Sequence, residues 1–304
     1  MSTTITNTSR CFAVAALMLA ACTANAGSFT DFESFALGTV NGQGGWSATN
    51  PNWDEEVVDL GGNKAWRVSN ETTSGSFGDQ PFAPSSGEIA GEAGSTHVAS
   101  GNPASFNRYI ASFDFWSVTG AAQPGLDITV SPDDGSGSRQ SFISIEDNGA
   151  GIDIDFYDSD ANHPVSNPNG GFVLTTPVTG LSYTEVHNVR FDIQFVDGID
   201  IDGDDGEVHG NDIVDLYVND VLVHTGTTWE SYFWTTTEGQ TPPSVRAIDT
   251  LLFRLSTNNG FVSNGGGFYI DNVRVQGVPE PGSIALLGLA GMFGSAVYLR
   301  RRWA

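Results

Sequence analysis

Apolar residues along this chain recur mostly at every second position, in short runs separated by turn formers. Ile152, Ile154 and Phe156 alternate with Asp153, Asp155 and Tyr157, which predicts a strand with one apolar and one polar face. The run from Tyr109 to Trp116 alternates in part and is rich in aromatics; Trp66 and Trp116 are expected in the core. Further strands are expected over Leu126–Val130, Phe142–Glu146, Val189–Val196, Ile213–Val218, Val221–His224, Leu251–Leu255 and Phe268–Val275. Asn219 and Asp220 separate two of these by a two-residue loop, the pattern of a tight hairpin. No stretch of the body sustains a 3.6-residue period. Many short strands point to an all-β sandwich or jelly roll, since an open sheet of that size would leave long edges exposed.

Both ends break this pattern. Gly282 to Leu299 carries no charge. At a rise of about 1.5 Å per residue its 18 residues reach about 27 Å, close to the thickness of a hydrocarbon core. Pro279 and Pro281 stop a helix from extending backwards, and Arg300, Arg301 and Arg302 are expected to stay in the cytoplasm. Val278, Pro279, Glu280 and Pro281, then an apolar helix, then a basic stop, resemble the PEP-CTERM sorting signal of Gram-negative bacteria. The resemblance implies an exosortase as processing partner, passage through the inner membrane, and a final place in the envelope, at the cell surface or in the extracellular matrix. Left unprocessed, the same tail would be an ordinary membrane anchor. At the other end, Arg10, the apolar run Cys11–Ala21 and the small residues Ala24 to Ala26 form a secretory signal peptide pattern with cleavage after Ala26. Leu19 to Cys22 also resembles a lipoprotein box. A lipid on Cys22 would duplicate the C-terminal membrane signal, which favours the Ala26 cut. The expected organisation is a leader over 1–26, a β domain over 27–277 and a sorting signal over 278–304.

Charge and cysteine content narrow the character of the body. All 36 acidic residues lie between Asp31 and Glu280, together with only eight of the 12 basic residues, a balance of −28. Such a surface repels nucleic acid and anionic lipid and favours solubility and divalent cations. Both cysteines, Cys11 and Cys22, lie in the leader, so a chain cut after Ala26 folds without disulfides. About 250 residues are enough to bury a large core unaided.

A second resemblance covers most of the body. Asp31 to Phe35 and Gly38 to Trp46 look like the opening of exported bacterial domains with the concanavalin A-like jelly roll. Phe195 to Gly198, Asn211 to Val218, Val221 to Thr227, Trp229 to Tyr232, Leu251 to Arg254 and Gly266 to Val273 look like later strands of the same family. The resemblance implies a fold in which the first and last strands pair, and it implies no reaction.

Catalytic patterns are weak. Jelly-roll glucanases carry alternating carboxylates that include glutamates, with paired carboxyls about 5 Å apart for double displacement. Asp153 and Asp155 lack a glutamate, and Asp200 and Asp202 fall in a loop. The Arg-Thr-Glu and Gln-Ile-His strands of jelly-roll alginate lyases are missing. His97, His163, His187, His209 and His224 match no metal-ligand spacing, and no nucleophile-elbow motif accompanies a serine. The better candidates bind rather than react. Asp200, Asp202, Asp204, Asp205 and Glu207, interspersed with glycine, resemble a calcium loop, although Asp205 stands where an EF-hand needs glycine. Trp229, Tyr232 and Trp234 follow a hairpin and could stack on sugar rings. The expected function is a non-catalytic module, glycan-associated or structural, of the envelope or exopolysaccharide matrix. The alternative is a polysaccharide-acting hydrolase or lyase.

Overall fold

The computed structural model describes residues 27–48, 54–71, 81–137, 139–159, 172–198, 200–201, 208–230, 232–233, 247–255 and 265–279. Gly27 to Val278 forms one compact unit. It is an all-β jelly-roll sandwich of two antiparallel sheets.

The eight-stranded sheet contains β1 (Ser28–Thr30), β3 (Glu55–Asp59), β4 (Lys64–Val68), β6 (Arg108–Ser117), β11 (His187–Gln194), β14 (Ile213–Val218), β15 (Val221–Gly226) and β17 (Phe268–Val278). They run in the order β15-β14-β11-β6-β17-β4-β3, with β1 also on β17. The seven-stranded sheet contains β2 (Ser47–Ala48), β5 (Pro81–Phe82), β7 (Asp127–Asp133), β8 (Ile143–Asp147), β9 (Ile152–Ser159), β10 (Phe172–Leu181) and β16 (Thr250–Leu255). Its order is β10-β9-β8-β7-β16-β5-β2. A small ribbon pairs β12 (Asp200–Ile201) with β13 (Val208–His209). The first and last strands do pair, Phe29 opposite Arg274. β17 runs to Val278, one residue past the boundary expected at Gly277, and Val278 lies opposite Arg108.

Alternation sets the core. Tyr109, Ala111, Phe113 and Phe115 of β6 point inward and are fully buried, as are Ile152, Ile154 and Phe156 of β9. Between the sheets Trp46 and Trp66 meet at 5.0 Å, Trp66 meets Phe253 edge-on at 5.2 Å, and Phe113 meets Phe253 at 5.4 Å. Each buried indole N–H is satisfied: Trp46 donates to Thr30 at 3.2 Å and Trp66 to Glu55 at 2.8 Å. The β14–β15 hairpin turns at Asn219 and Asp220, both left-handed at φ 51° and 63°, the two positive values a type I′ turn requires. At Gly267, φ is 120° and a Cβ would run into the Val68 carbonyl, so only glycine lets β17 enter beside β4.

Trp116 departs from expectation. Being next to Phe115, it takes the opposite face and is half-buried on the outside of the eight-stranded sheet rather than in the core. β10 is also absent from the expected set. It is an edge strand, mostly exposed, whose register shifts around Pro177, a residue that suits an edge because it has no N–H to donate.

Candidate functional site

The expected aromatic platform is corrected at Trp229. It is only 8% exposed. Phe142 and Phe172 flank it at 5.9 and 4.4 Å, Arg139 lies 5.6 Å from the ring, and the indole N–H donates to the Tyr157 carbonyl at 2.9 Å. That leaves too little face for a sugar ring. Tyr232 is half-buried against Phe172 at 4.9 Å. Trp234 lies outside the described residues.

A half-buried aromatic pair stands elsewhere, on the outward face of the eight-stranded sheet. Trp116 on β6 and Tyr269 on β17 are opposite each other in register, with ring centroids 5.3 Å apart, and both are half-buried on the outward face. Two residues along the same strands, on the same face, Asp114 faces Asp271. Asn188 donates to one Asp114 oxygen at 2.7 Å, and the exposed Asn272 donates to the other at 2.8 Å. Burial and the nearby Asp114 push Asp271 up to about 6. The outward face thus carries two rings beside carboxylate and amide groups.

The outward face of the seven-stranded sheet is acidic. Asp127, Glu146 and Asp153 lie in register across β7, β8 and β9, and Asp155 sits two residues further along β9, opposite Ser144. Gly180 N–H donates to Asp153 at 2.8 Å and Thr176 to Asp155 at 2.6 Å. Burial and the charges of Asp155, Asp127 and Asp153 raise the Glu146 pKa.

A serine, a histidine and an aspartate do converge. Ser100 Oγ is 3.0 Å from His97 Nδ1, and His97 Nε2 is 3.0 Å from Asp249. The Ser100 N–H also points at Nδ1, which assigns the ring proton to Nε2, facing Asp249. Nucleophilic catalysis would also need free N–H groups for an oxyanion. Here the N–H of Ser100 goes to the ring, that of Gly101 to the His97 carbonyl, and that of Asn102 to Ser100 Oγ. The trio therefore locks a turn.

The acidic segment expected as a calcium loop is described only at its base. Asp200 lies in β12, opposite His209; Asp202, Asp204, Asp205 and Glu207 lie outside the described residues. Beside that base, three carboxylates from distant parts of the chain meet. One oxygen each of Glu92, Asp212 and Glu230 lie within 4.8 Å of one another. Glu92 and Asp212 are 3% and 2% exposed. Gly198 N–H donates to Glu92 at 2.7 Å, Asn211 N–H to Glu230 at 3.4 Å, and Val196 N–H and the Thr228 hydroxyl to Asp212 at 2.8 and 2.7 Å. Among the described residues no cationic side chain bonds to the three. Burial raises all three pKa values, helped at Glu92 by the charge of Asp197, at Asp212 by Glu92 and at Glu230 by Asp212 and Glu92; Asp212 is pushed up to about 7 and Glu230 to about 10. No local motif signals this cluster, because its members are far apart in the chain.

The sorting residues Val278 and Pro279 close the described structure, with Val278 in β17. Glu280, Pro281 and Arg300 to Arg302 lie outside the described residues, as does the apolar stretch 282–299. Among the described residues no helix is long and apolar enough to cross a membrane.

No curated protein matches the chain. Among solved structures, similar chains include an endo-β-1,4-glucuronan lyase from the fungus Trichoderma reesei, at 12% identity and TM-score 0.45, covering 83% of this chain and 95% of that one. An alginate lyase in complex with an alginate trisaccharide aligns at 13% identity and TM-score 0.48, over 83% and 98% of the two chains. An alginate lyase from a Chlorella virus aligns at 13% identity and TM-score 0.42, over 80% and 99%. Residues 277–302 match the PEP-CTERM protein-sorting motif, and the chain therefore carries a signal for export and exosortase processing.

Proposed function

We propose that the β domain is a non-catalytic, glycan-associated module displayed in the envelope or exopolysaccharide matrix of a Gram-negative bacterium. The observation that carries this reading is the outward pair Trp116 and Tyr269, 5.3 Å apart, beside Asp114 with its two asparagine donors. Sugar rings present apolar C–H faces that stack on aromatics, while their hydroxyls need carboxylate and amide partners. Both kinds of group share this one face. Asp114 and Asp271 beside the rings, and the acidic body around them, favour neutral over acidic glycans. A glycan array probed with the exported, purified protein tests the reading. Retention of neutral polysaccharides is expected, and an array silent for every glycan would leave a purely structural role.

A second reading rests on a different face. Glu146 and Asp155 lie near each other on β8 and β9, and the pKa of Glu146 is raised, as a general acid requires. On this reading the domain would hydrolyse or eliminate a polysaccharide. Product release from matrix polysaccharides, abolished by Glu146→Gln, would support it; an inactive wild-type protein would remove it.

A further inference from the structure

Carboxylates buried in a fold are ordinarily matched by cations or by enough donors to stabilise their charge. Glu92, Asp212 and Glu230 have only partial compensation. Besides the contact between Glu92 and Glu230, their hydrogen-bond partners are the N–H groups of Gly198, Val196 and Asn211 and the hydroxyl of Thr228. Glu92, 3% exposed, keeps its Oε1 buried with no hydrogen-bond partner. Asn211, adjacent to Asp212 and bonded through its N–H to Glu230, also has a buried side-chain oxygen without a partner. These are unsatisfied acceptors around a concentrated negative charge, the arrangement a bound cation completes.

We propose that Glu92, Asp212 and Glu230 bind one divalent cation of the calcium type, with the Asn211 side-chain oxygen available as a fourth ligand. The donor set is all oxygen, which excludes a preference for soft metals. Calcium accepts roughly six to eight oxygens at about 2.4 Å in flexible geometry, whereas magnesium demands a near-ideal octahedron at about 2.1 Å. One oxygen from each of the trio lies within 4.8 Å of the others, so a single ion can reach all three. Burial opposes ionisation of all three, a cost that a bound cation offsets.

Position gives the ion a role. Gly198 is held by Glu92 and Asn211 by Glu230, so the same carboxylates grip both ends of the acidic segment between them. The cation fixes where that segment leaves and re-enters the sandwich. It also ties the loop at Glu92 to β14 through Asp212, which directly precedes that strand. The site is separate from the Trp116 face, and its failure would leave the glycan reading intact.

Calorimetric titration of the exported protein with calcium chloride, after treatment with chelator, tests the proposal. Expected are a saturable heat at one ion per chain and a rise in thermal midpoint. Glu230→Gln should remove both, while Asp202→Ala combined with Asp204→Ala should retain both. Absence of heat in the wild type overturns the proposal, as does loss in the double loop variant with retention in Glu230→Gln. Should Glu230→Gln fail to fold by circular dichroism, terbium luminescence excited through the adjoining Trp229 in the wild type decides. Emission displaced by calcium supports the site, provided the double loop variant emits equally; no emission overturns it.

Discussion

Asp158 on β9 and His224 on β15 join the two sheets at their margins, with His224 Nε2 and Asp158 Oδ2 2.9 Å apart. The other Asp158 oxygen accepts from the Thr227 N–H at 2.9 Å, and the His224 ring lies 4.5 Å from Phe156. One carboxylate therefore satisfies both the ring and the strand end. Asp158→Ala leaves two donors without a partner and is expected to cost about 2–4 kcal/mol, where a lone bond costs about 1. His224→Ala should cost less, because the Thr227 bond survives. Denaturant unfolding of the two variants gives the ranking; equal or reversed losses would contradict it.

Gly267→Ala is expected to destabilise strongly, by about 3 kcal/mol or more. The added Cβ meets the Val68 carbonyl, and φ of 120° strains any L side chain. The register of β4 against β17 fixes both atoms, so relaxation is limited. A thermal midpoint within a degree or two of the wild type would show that β17 enters the sheet differently.

Trp229 should behave as a packing residue. Trp229→Ala removes a buried ring from the Phe142 and Phe172 cluster and is expected to cost about 3–5 kcal/mol. Glycan retention, measured below the unfolding transition, should be unchanged. Loss of retention with full stability would restore Trp229 as a ligand platform.

Acidity should stabilise the domain over part of the pH range. Burial and the neighbouring Asp134 push Asp133 up to about 7, only partly offset by the Gly137 and Gly135 N–H groups and by Arg139. Ionisation is therefore harder in the folded chain than in the unfolded one. The associated stability is fully present below about pH 4 and is lost as pH rises through about 7. The loss amounts to about 4 kcal/mol, since each tenfold change in proton affinity between the two states is worth about 1.4 kcal/mol and the shift spans about three of them. Asp133→Asn should flatten the stability profile between pH 4 and 8. A variant with an unchanged slope would place Asp133 outside this balance.

Local pattern revealed the elements whose signals are local. The Ile152, Ile154 and Phe156 stripe and the Asn219–Asp220 turn both lie where alternation and turn chemistry put them. Trp116 shows a conflict between two rules. Its size argued for burial, yet its place one residue past Phe115 gave it the opposite parity and put it outside, and parity prevailed because a strand cannot turn neighbours to one face. β10 was hidden by Pro177 and Gly180, which read as loop formers but are tolerated on an edge. The Glu92, Asp212 and Glu230 cluster is assembled by topology alone, so no window of sequence contains it. The calcium pattern lay beside it, in the segment whose two ends Glu92 and Glu230 hold.

The face bearing Trp116 and Tyr269 is proposed to hold glycan. Affinity electrophoresis of the exported protein through gels containing a retained neutral polysaccharide tests this most directly, comparing wild type with Trp116→Ala and Tyr269→Ala. Both rings face outward, so the variants should keep the wild-type fold by circular dichroism. Each variant is predicted to lose most of the retardation. Retardation equal to wild type in both variants, with fold intact, would contradict the claim.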